Sequence, residues 1–230
     1  MASEYEHSRV ALLLVDLVNE NFAREGKAYA VYAPEYERLG TIDNLKKLIA
    51  GARRHEHIPL LYSRTAFTDE DYSTWKHVSG MHRQMFVNRL FEAGTWNTEF
   101  HEDLAPRPGD VVLAPHKGLD VFHHTDIEFQ LRRRGVEYLA IAGVSGIMGV
   151  ESTARTAMER AYHVTTFTDA IAAPGGLVTY QAMMRGLNMI SHKVVSVDDF
   201  LAALDKPAAK YSHHSGRESS GDAADANEAG

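Results

Sequence analysis

The run YLAIAGVSGIMGVESTARTAMERAYHVTTFTDA, residues 138–170, decides the fold. Tyr138 to Ala142 is continuously apolar, the pattern of a strand buried on both faces of a parallel sheet. A glycine-rich turn, Gly143 to Gly149, then opens a segment in which Val150, Thr153, Ala154, Ala157, Met158 and Ala161 recur at helical spacing, and His163 to Phe167 is apolar again. A strand, a helix of about a dozen residues and a second strand specify a right-handed crossover between parallel neighbours.

The same alternation extends in both directions. Val10 to Val15, Ile58 to Tyr62, Val111 to Ala114 and Val194 to Val197 are further apolar runs. Ile42, Leu45, Leu48, Ile49 and Ala52 form a second helical stripe, and Ile127 with Leu131 anchors a third that ends near Gly135. The spacing predicts a doubly wound α/β domain over residues 1–206, with a mostly parallel sheet of about six strands and helices on both faces. Ligands of such sheets bind beyond the carboxyl ends of the strands, which directs attention to Asp16, to the segment around Lys117, and to Gly143–Gly149.

Residues from Arg64 to Arg107 are too long for an idle connection and read as a lid or an oligomer contact. Trp75, Phe86, Phe91 and Trp96 in that stretch suggest more aromatic surface than a monomer leaves wet, so a homo-oligomer, dimer or tetramer, is expected. Residues 207–230 turn to Ala, Ser, Gly, Asp and Glu and are expected to be a disordered polar tail.

With 31 acidic against 24 basic residues the chain is net negative, so nucleic acid is an unexpected partner. The polar start, Met1 to Ser8, lacks the pattern of a secretory signal, no apolar stretch is long enough for a bilayer, and a cytoplasmic protein is expected. The sequence contains no cysteine, which excludes disulfides, thiolate metal sites and a cysteine nucleophile. His123 and His124 are adjacent and diverge, and His77 and His82 lack an Asp-x-His partner, so neither metal nor cofactor is expected. Arg132, Arg133 and Arg134 read as the solvated end of a helix.

From Gly143 to Ala154 the chain resembles the isochorismatase-type cysteine hydrolases, whose pattern is Gly-Val-x-Thr-x-x-Cys-Val-x-x-Thr-Ala, then a helix and a strand ending in Asp-Ala. LLLVD at 12–16 is similar to the strand that carries the family's acid. GDVV at 109–112 and FHHTDIEFQLRRRGVEYLAIAGV at 122–144 are similar to the segments flanking its lysine. The resemblance covers residues 9–204 and puts Asp16 on the acid and Gly149 on the nucleophilic cysteine. Lys117 is the candidate for the lysine, with His116 as competitor because a gap-free count from Phe122 lands there.

What the resemblance implies is a small-molecule hydrolase working without a covalent thioester. Isochorismatases of this fold lack the thiol, often with glycine in its place, and cleave a vinyl ether, with the aspartic acid protonating the enolpyruvyl methylene carbon, and burial at the end of an apolar strand favours the neutral acid such a step needs. On this reading Asp16 and Lys117 are catalytic. Gly149, Ser145, Gly146, Met148, Arg64, Arg83, His116, Phe22 and Trp75 are candidates for substrate binding, the arginines as counter-ions to a dicarboxylate. The alternatives are an inactive small-molecule-binding relative, or an amide or ureido hydrolase whose nucleophile has been replaced at Gly149.

Overall fold

The computed structural model describes residue 5 and residues 9–206 of the chain, so the expected tail at 207–230 lies outside the described residues. Six strands, all parallel, form one sheet in the order β3-β2-β1-β4-β5-β6. They are β1 (Val10–Val15), β2 (Leu60–Ser63), β3 (Val111–Val112), β4 (Tyr138–Gly143), β5 (His163–Ile171) and β6 (Lys193–Val195). Every residue of β1 is buried, because it lies centrally between β2, pairing Leu12 with Leu60, and β4, pairing Leu12 with Ala140. That central place is what its unbroken apolar run encodes.

Three boundaries differ from the apolar runs, each for a local reason. Ile58 is buried but precedes β2, since Pro59 has no N–H to give the ladder and contributes only its carbonyl, to Leu12 N at 3.0 Å. Val197 opens a helix instead of closing β6, because the Ser196 side chain accepts from Asp199 N as an N-cap. β3 is only two residues long and lies at the sheet edge.

Helices α1 (Asn19–Phe22), α2 (Tyr29–Leu39) and α3 (Thr41–Ala52) link β1 to β2. Beyond β3, α6 (Ile127–Arg132), α7 (Glu151–Glu159), α8 (Gly176–Ile190) and α9 (Val197–Leu204) alternate with β4, β5 and β6. The strand order runs outward one way from β1 and the other way from β4. Right-handed crossovers therefore place the two sets of helices on opposite faces, and a crevice opens where the direction reverses. Gly143 ends β4 there with φ 118°, and a Cβ on it would sit 2.2 Å from the Val15 carbonyl oxygen, so only glycine lets the two central strands stay paired to their ends.

Between β2 and β3 lie α4 (Asp69–Thr74), held by a capping box between Thr68 and Asp71, and α5 (Gly80–Val87), capped by Ser79. Phe67 is fully buried beneath them, its ring 5.1 Å from Phe86 and 6.3 Å from Trp75. The expected wet aromatic surface is therefore not found. Phe91 is buried, Trp75 and Phe86 close this small second core, and of the four only Trp96 is exposed, at 45%. A fully buried carboxylate fastens the segment to α1: Glu20 accepts from the N–H groups of Lys27 and Phe91 and from Asn97 Nδ2, at 2.8, 3.1 and 2.8 Å. Among the described residues no helix is long and apolar enough to cross a membrane.

Candidate functional site

Asp16 stands one residue beyond β1, at the reversal of strand order, with φ 55°. A positive φ at a non-glycine residue is strained, and here two hydrogen bonds hold the backbone: Asp16 N donates to Ser63 O at 3.2 Å, and Asn21 Nδ2 donates to Asp16 O at 2.9 Å. The turn aims the carboxylate into the crevice instead of along the strand. Past the last ladder pair of β2 and β3, Thr65 and His116 form one more parallel bridge, with His116 N on Arg64 O at 3.0 Å and Ala66 N on His116 O at 3.3 Å. The bridge sets the two side chains abreast. Thr65 Oγ1 donates to Asp16 Oδ2 at 3.0 Å, and His116 Nε2 lies 2.9 Å from Asp16 Oδ1.

The protonation of this pair follows from its outer partner. His116 Nδ1 lies 2.8 Å from the Gly118 carbonyl oxygen, which only accepts, so Nδ1 carries hydrogen. A single further proton then lies between Nε2 and Oδ1. Burial alone disfavours the imidazolium, since His116 is 1% exposed, but the facing Asp16 carboxylate and the hydrogen bonds to Asp16 and Gly118 outweigh it and raise the His116 pKa above the usual histidine value. The group presented to a ligand is the Asp16 carboxyl, with Thr65 on one oxygen and the His116 imidazole on the other.

The pair opens on a narrow cavity of about 40 Å³. Gly149, Ser145 and Met148 line it from the wide, π-helical turn Gly146–Val150 that precedes α7, and from the residue before that turn. Asn21, Tyr32 and Thr65 add polar walls, and Phe67, Met81, His82, Met85 and Phe91 form an apolar roof. The Tyr32 phenol is pushed up to about 12, by burial first, against a smaller lowering from Ser145 beside it, with Asp16 raising it further, so it stays neutral. A Cβ on Gly149 would meet Val15 Cγ1 at 3.4 Å and two carbonyl oxygens at 3.5 Å, ordinary contacts, so a methyl group would fit there and crowding does not demand the glycine.

The expected site residues divide. Asp16, Lys117, His116, Gly149, Ser145 and Met148 meet in the cavity. Lys117, however, turns its amine to Asp71 on the lid, and it is His116 that faces Asp16. That pairing leaves Asp71 below the usual carboxylate range: burial would raise it, but Lys117 and Thr68 more than compensate. Lid and strand end are also joined by His82, whose Nε2 lies 3.0 Å from Lys117 O and, facing a carbonyl, donates.

The remaining candidates lie elsewhere. Gly146 is packed under α8, where a Cβ would fall 1.9 Å from the Met183 sulfur. Arg64 turns away to Thr98 O at 3.3 Å and to the Phe100 ring. Arg83 is exposed on the outer side of α5. Phe22 is buried in the main core, stacked on Tyr36 at 5.1 Å, and Trp75 lies against His82 at 4.6 Å outside the cavity wall. Sequence reasoning missed Asn21, Tyr32 and Thr65. Only Thr65, two residues past a strand end, carried a positional signal.

The Isochorismatase domain profile matches residues 10–199. The ureidoacrylate amidohydrolase of Methylorubrum extorquens is 32% identical over 219 residues, covering 90% of this chain and 87% of that protein. The enzyme of the same name from Rhizobium rhizogenes is 27% identical over 213 residues, covering 87% and 85%. Among solved structures, an isochorismatase family protein from Desulfovibrio vulgaris superposes with a TM-score of 0.70 at 26% identity, over 84% of this chain and 98% of that one. A cysteine hydrolase from Pseudomonas syringae pv. phaseolicola superposes with a TM-score of 0.75 at 20% identity, over 89% and 97%, a likeness of fold. With its acid at the end of β1 and its glycine-rich turn at the end of β4, this chain belongs to the isochorismatase family of hydrolases.

Proposed function

We propose that this chain hydrolyses a small amide or ureido compound by direct attack of water, with Asp16 as general base and no covalent enzyme intermediate. One observation carries the reading: the Asp16 carboxyl, held by Thr65 and backed by His116, opens on a cavity that Gly149, with no side chain, also lines. Without a cysteine anywhere in the chain the thioester route is closed, and water is the attacking group in this reading. Asp16 takes a proton from water as its oxygen adds to the carbonyl carbon, and returns it to the departing nitrogen as the C–N bond breaks. For a terminal ureido group the products are ammonia and a carbamic acid. His116, 2.9 Å from Asp16 Oδ1, holds the carboxyl in place for the first transfer.

The substrate class rests on the relatives, since those named are ureidoacrylate amidohydrolases, and an N-carbamoylsarcosine amidase shares the fold at a TM-score of 0.61. The vinyl ether reading draws less support. It needs counter-ions for a dicarboxylate, and Arg64 and Arg83 stay outside the cavity.

The test is a panel of monosubstituted ureas, primary amides and enolpyruvyl ethers, followed by ammonia and pyruvate release, with labelled water and intact-mass spectra. Ammonia release, no enzyme adduct, and a fall of about 10²–10⁴-fold in Asp16→Asn are expected. Pyruvate release, or turnover indifferent to Asp16→Asn, would overturn the proposal. Saturable binding with no product would leave a binding protein in its place.

A further inference from the structure

The wall of the cavity divides by exposure into a floor and a mouth. Asp16, Thr65, His116 and the residues beside them on the floor are buried, whereas the side chains of Met81, His82, Met85, Lys117, Leu119 and Met148 keep part of their surface open. A water needs about 10–15 Å³ of cavity, so about 40 Å³ has room for a few waters and none for a substrate with a side arm. Part of the wall has to yield. Met81 and Met85 stand one turn apart on α5, a helix with no buried residue, and methionine is unbranched, with three rotatable bonds that let it repack around what enters.

The basic side chains of the wall are already engaged. Lys117 Nζ pairs with Asp71. His82 has Ser79 Oγ 2.8 Å from its Nδ1 and donates from Nε2 to Lys117 O at 3.0 Å, and His116 spans Asp16 Oδ1 and Gly118 O. Among the described residues these three are all the basic side chains that line the cavity. What the mouth holds out to an incoming group is apolar: three thioethers and Leu119.

We infer that the mouth selects a neutral substrate with a short apolar arm, enclosed by Met81, Met85, Met148 and Leu119, and turns away the same arm ending in a carboxylate. Burying apolar surface against these side chains is favourable, while a carboxylate taken out of water needs a cation beside it, and the amine in this wall is held by Asp71. The inference rests on the amide or ureido reading for the reacting group on the Asp16 side, and adds to it the character of the rest of the substrate.

The experiment uses two isosteric ureas. Isopentylurea and N-carbamoyl-β-alanine share one heavy-atom skeleton and end in an isopropyl group and a carboxylate. Both are titrated, with ethylurea and butylurea, into the full chain carrying isotope-labelled methionine methyl groups, the NMR signals assigned with Met81→Leu, Met85→Leu and Met148→Leu, and ammonia release is followed in parallel. Isopentylurea is expected to shift those three methyl signals and to bind at least about tenfold more tightly than N-carbamoyl-β-alanine. Butylurea should bind about tenfold more tightly than ethylurea, at about three- to fourfold for each CH2 buried. Asp71→Asn releases the Lys117 amine while His82 still ties the lid to Lys117 O, and should bring the carboxylate probe to within about threefold of its isostere. Equal affinity of the two isosteres in the wild type, butylurea no tighter than ethylurea, methionine signals that stay in place, or a gap that Asp71→Asn leaves as wide would overturn the inference. If the preference is present and no ammonia appears, the apolar mouth stands and hydrolysis falls. If ammonia comes equally from both isosteres, hydrolysis stands and the selectivity falls.

Discussion

Replacing His116 by alanine should destabilise the protein by about 3 kcal/mol, and the larger part should be energy shared with Asp16. The side chain gives up two hydrogen bonds, to Asp16 Oδ1 at 2.9 Å and to Gly118 O at 2.8 Å. The first is charge-assisted, worth about 1.5–3 kcal/mol, and the second about 1 kcal/mol. His116 is 1% exposed, and its removal leaves Asp16, whose side chain is 11% exposed, with Thr65 as its remaining side-chain partner. The assay is urea unfolding of the wild type, His116→Ala, Asp16→Asn and the double variant. The cycle should give a coupling of about 2 kcal/mol. A second reading comes from pH. Because the folded pKa of His116 is raised above the ordinary 6.5, its stabilisation is fully present below pH 6.5 and is lost as pH rises through the folded value. The loss amounts to about 1.4 kcal/mol for every tenfold by which folding tightens proton binding. Wild type should therefore lose stability relative to His116→Gln as pH is raised from 6.5. A coupling under about 0.5 kcal/mol, together with parallel pH profiles, would refute the proton-sharing account of the pair.

Gly149→Cys should fold with a urea midpoint close to wild type, since its Cβ meets nothing nearer than 3.4 Å, and should place one iodoacetamide-reactive thiol in a chain that otherwise has none. An insoluble or unreactive product would mean the space at Gly149 is smaller than described. Gly143→Ala should cost more than about 3 kcal/mol or abolish soluble expression, because φ 118° and a 2.2 Å approach to Val15 O leave no room for a methyl group. Lys117→Met should change global stability by no more than about 1 kcal/mol, the pair with Asp71 being partly exposed, yet should speed proteolysis between residues 64 and 104 by freeing the lid. Equal cleavage rates would show that Glu20 and His82 hold the lid without it.

The fold was legible because its four inner strands, β1, β2, β4 and β5, are largely buried on both faces. Such strands need no alternation, so each writes itself as a contiguous apolar run, and β1 and β4 are the clearest because they are central. β3, at the edge and two residues long, has little burial to write. The site was legible only to the level of strand ends. Which of His116 and Lys117 faces Asp16 depends on the bridge between Thr65 and His116, and a slip of one residue there exchanges the side chains. No local propensity records such a register, since it is set by two loops some fifty residues apart. The same alternation explains Arg64: once Thr65 faces Asp16, its neighbour in an extended chain must face the other way, to Thr98 and Phe100. Asn21 escaped for a different reason. A polar residue in the turn after a strand is ordinarily a solvated one, and here the hydrogen bond from Asn21 Nδ2 to the Asp16 carbonyl holds it inside. The backbone turn at the acid and the composition of the pocket wall are thus one feature: releasing Asn21 from Asp16 would loosen the turn that aims the carboxyl and shift a wall of the cavity in the same step.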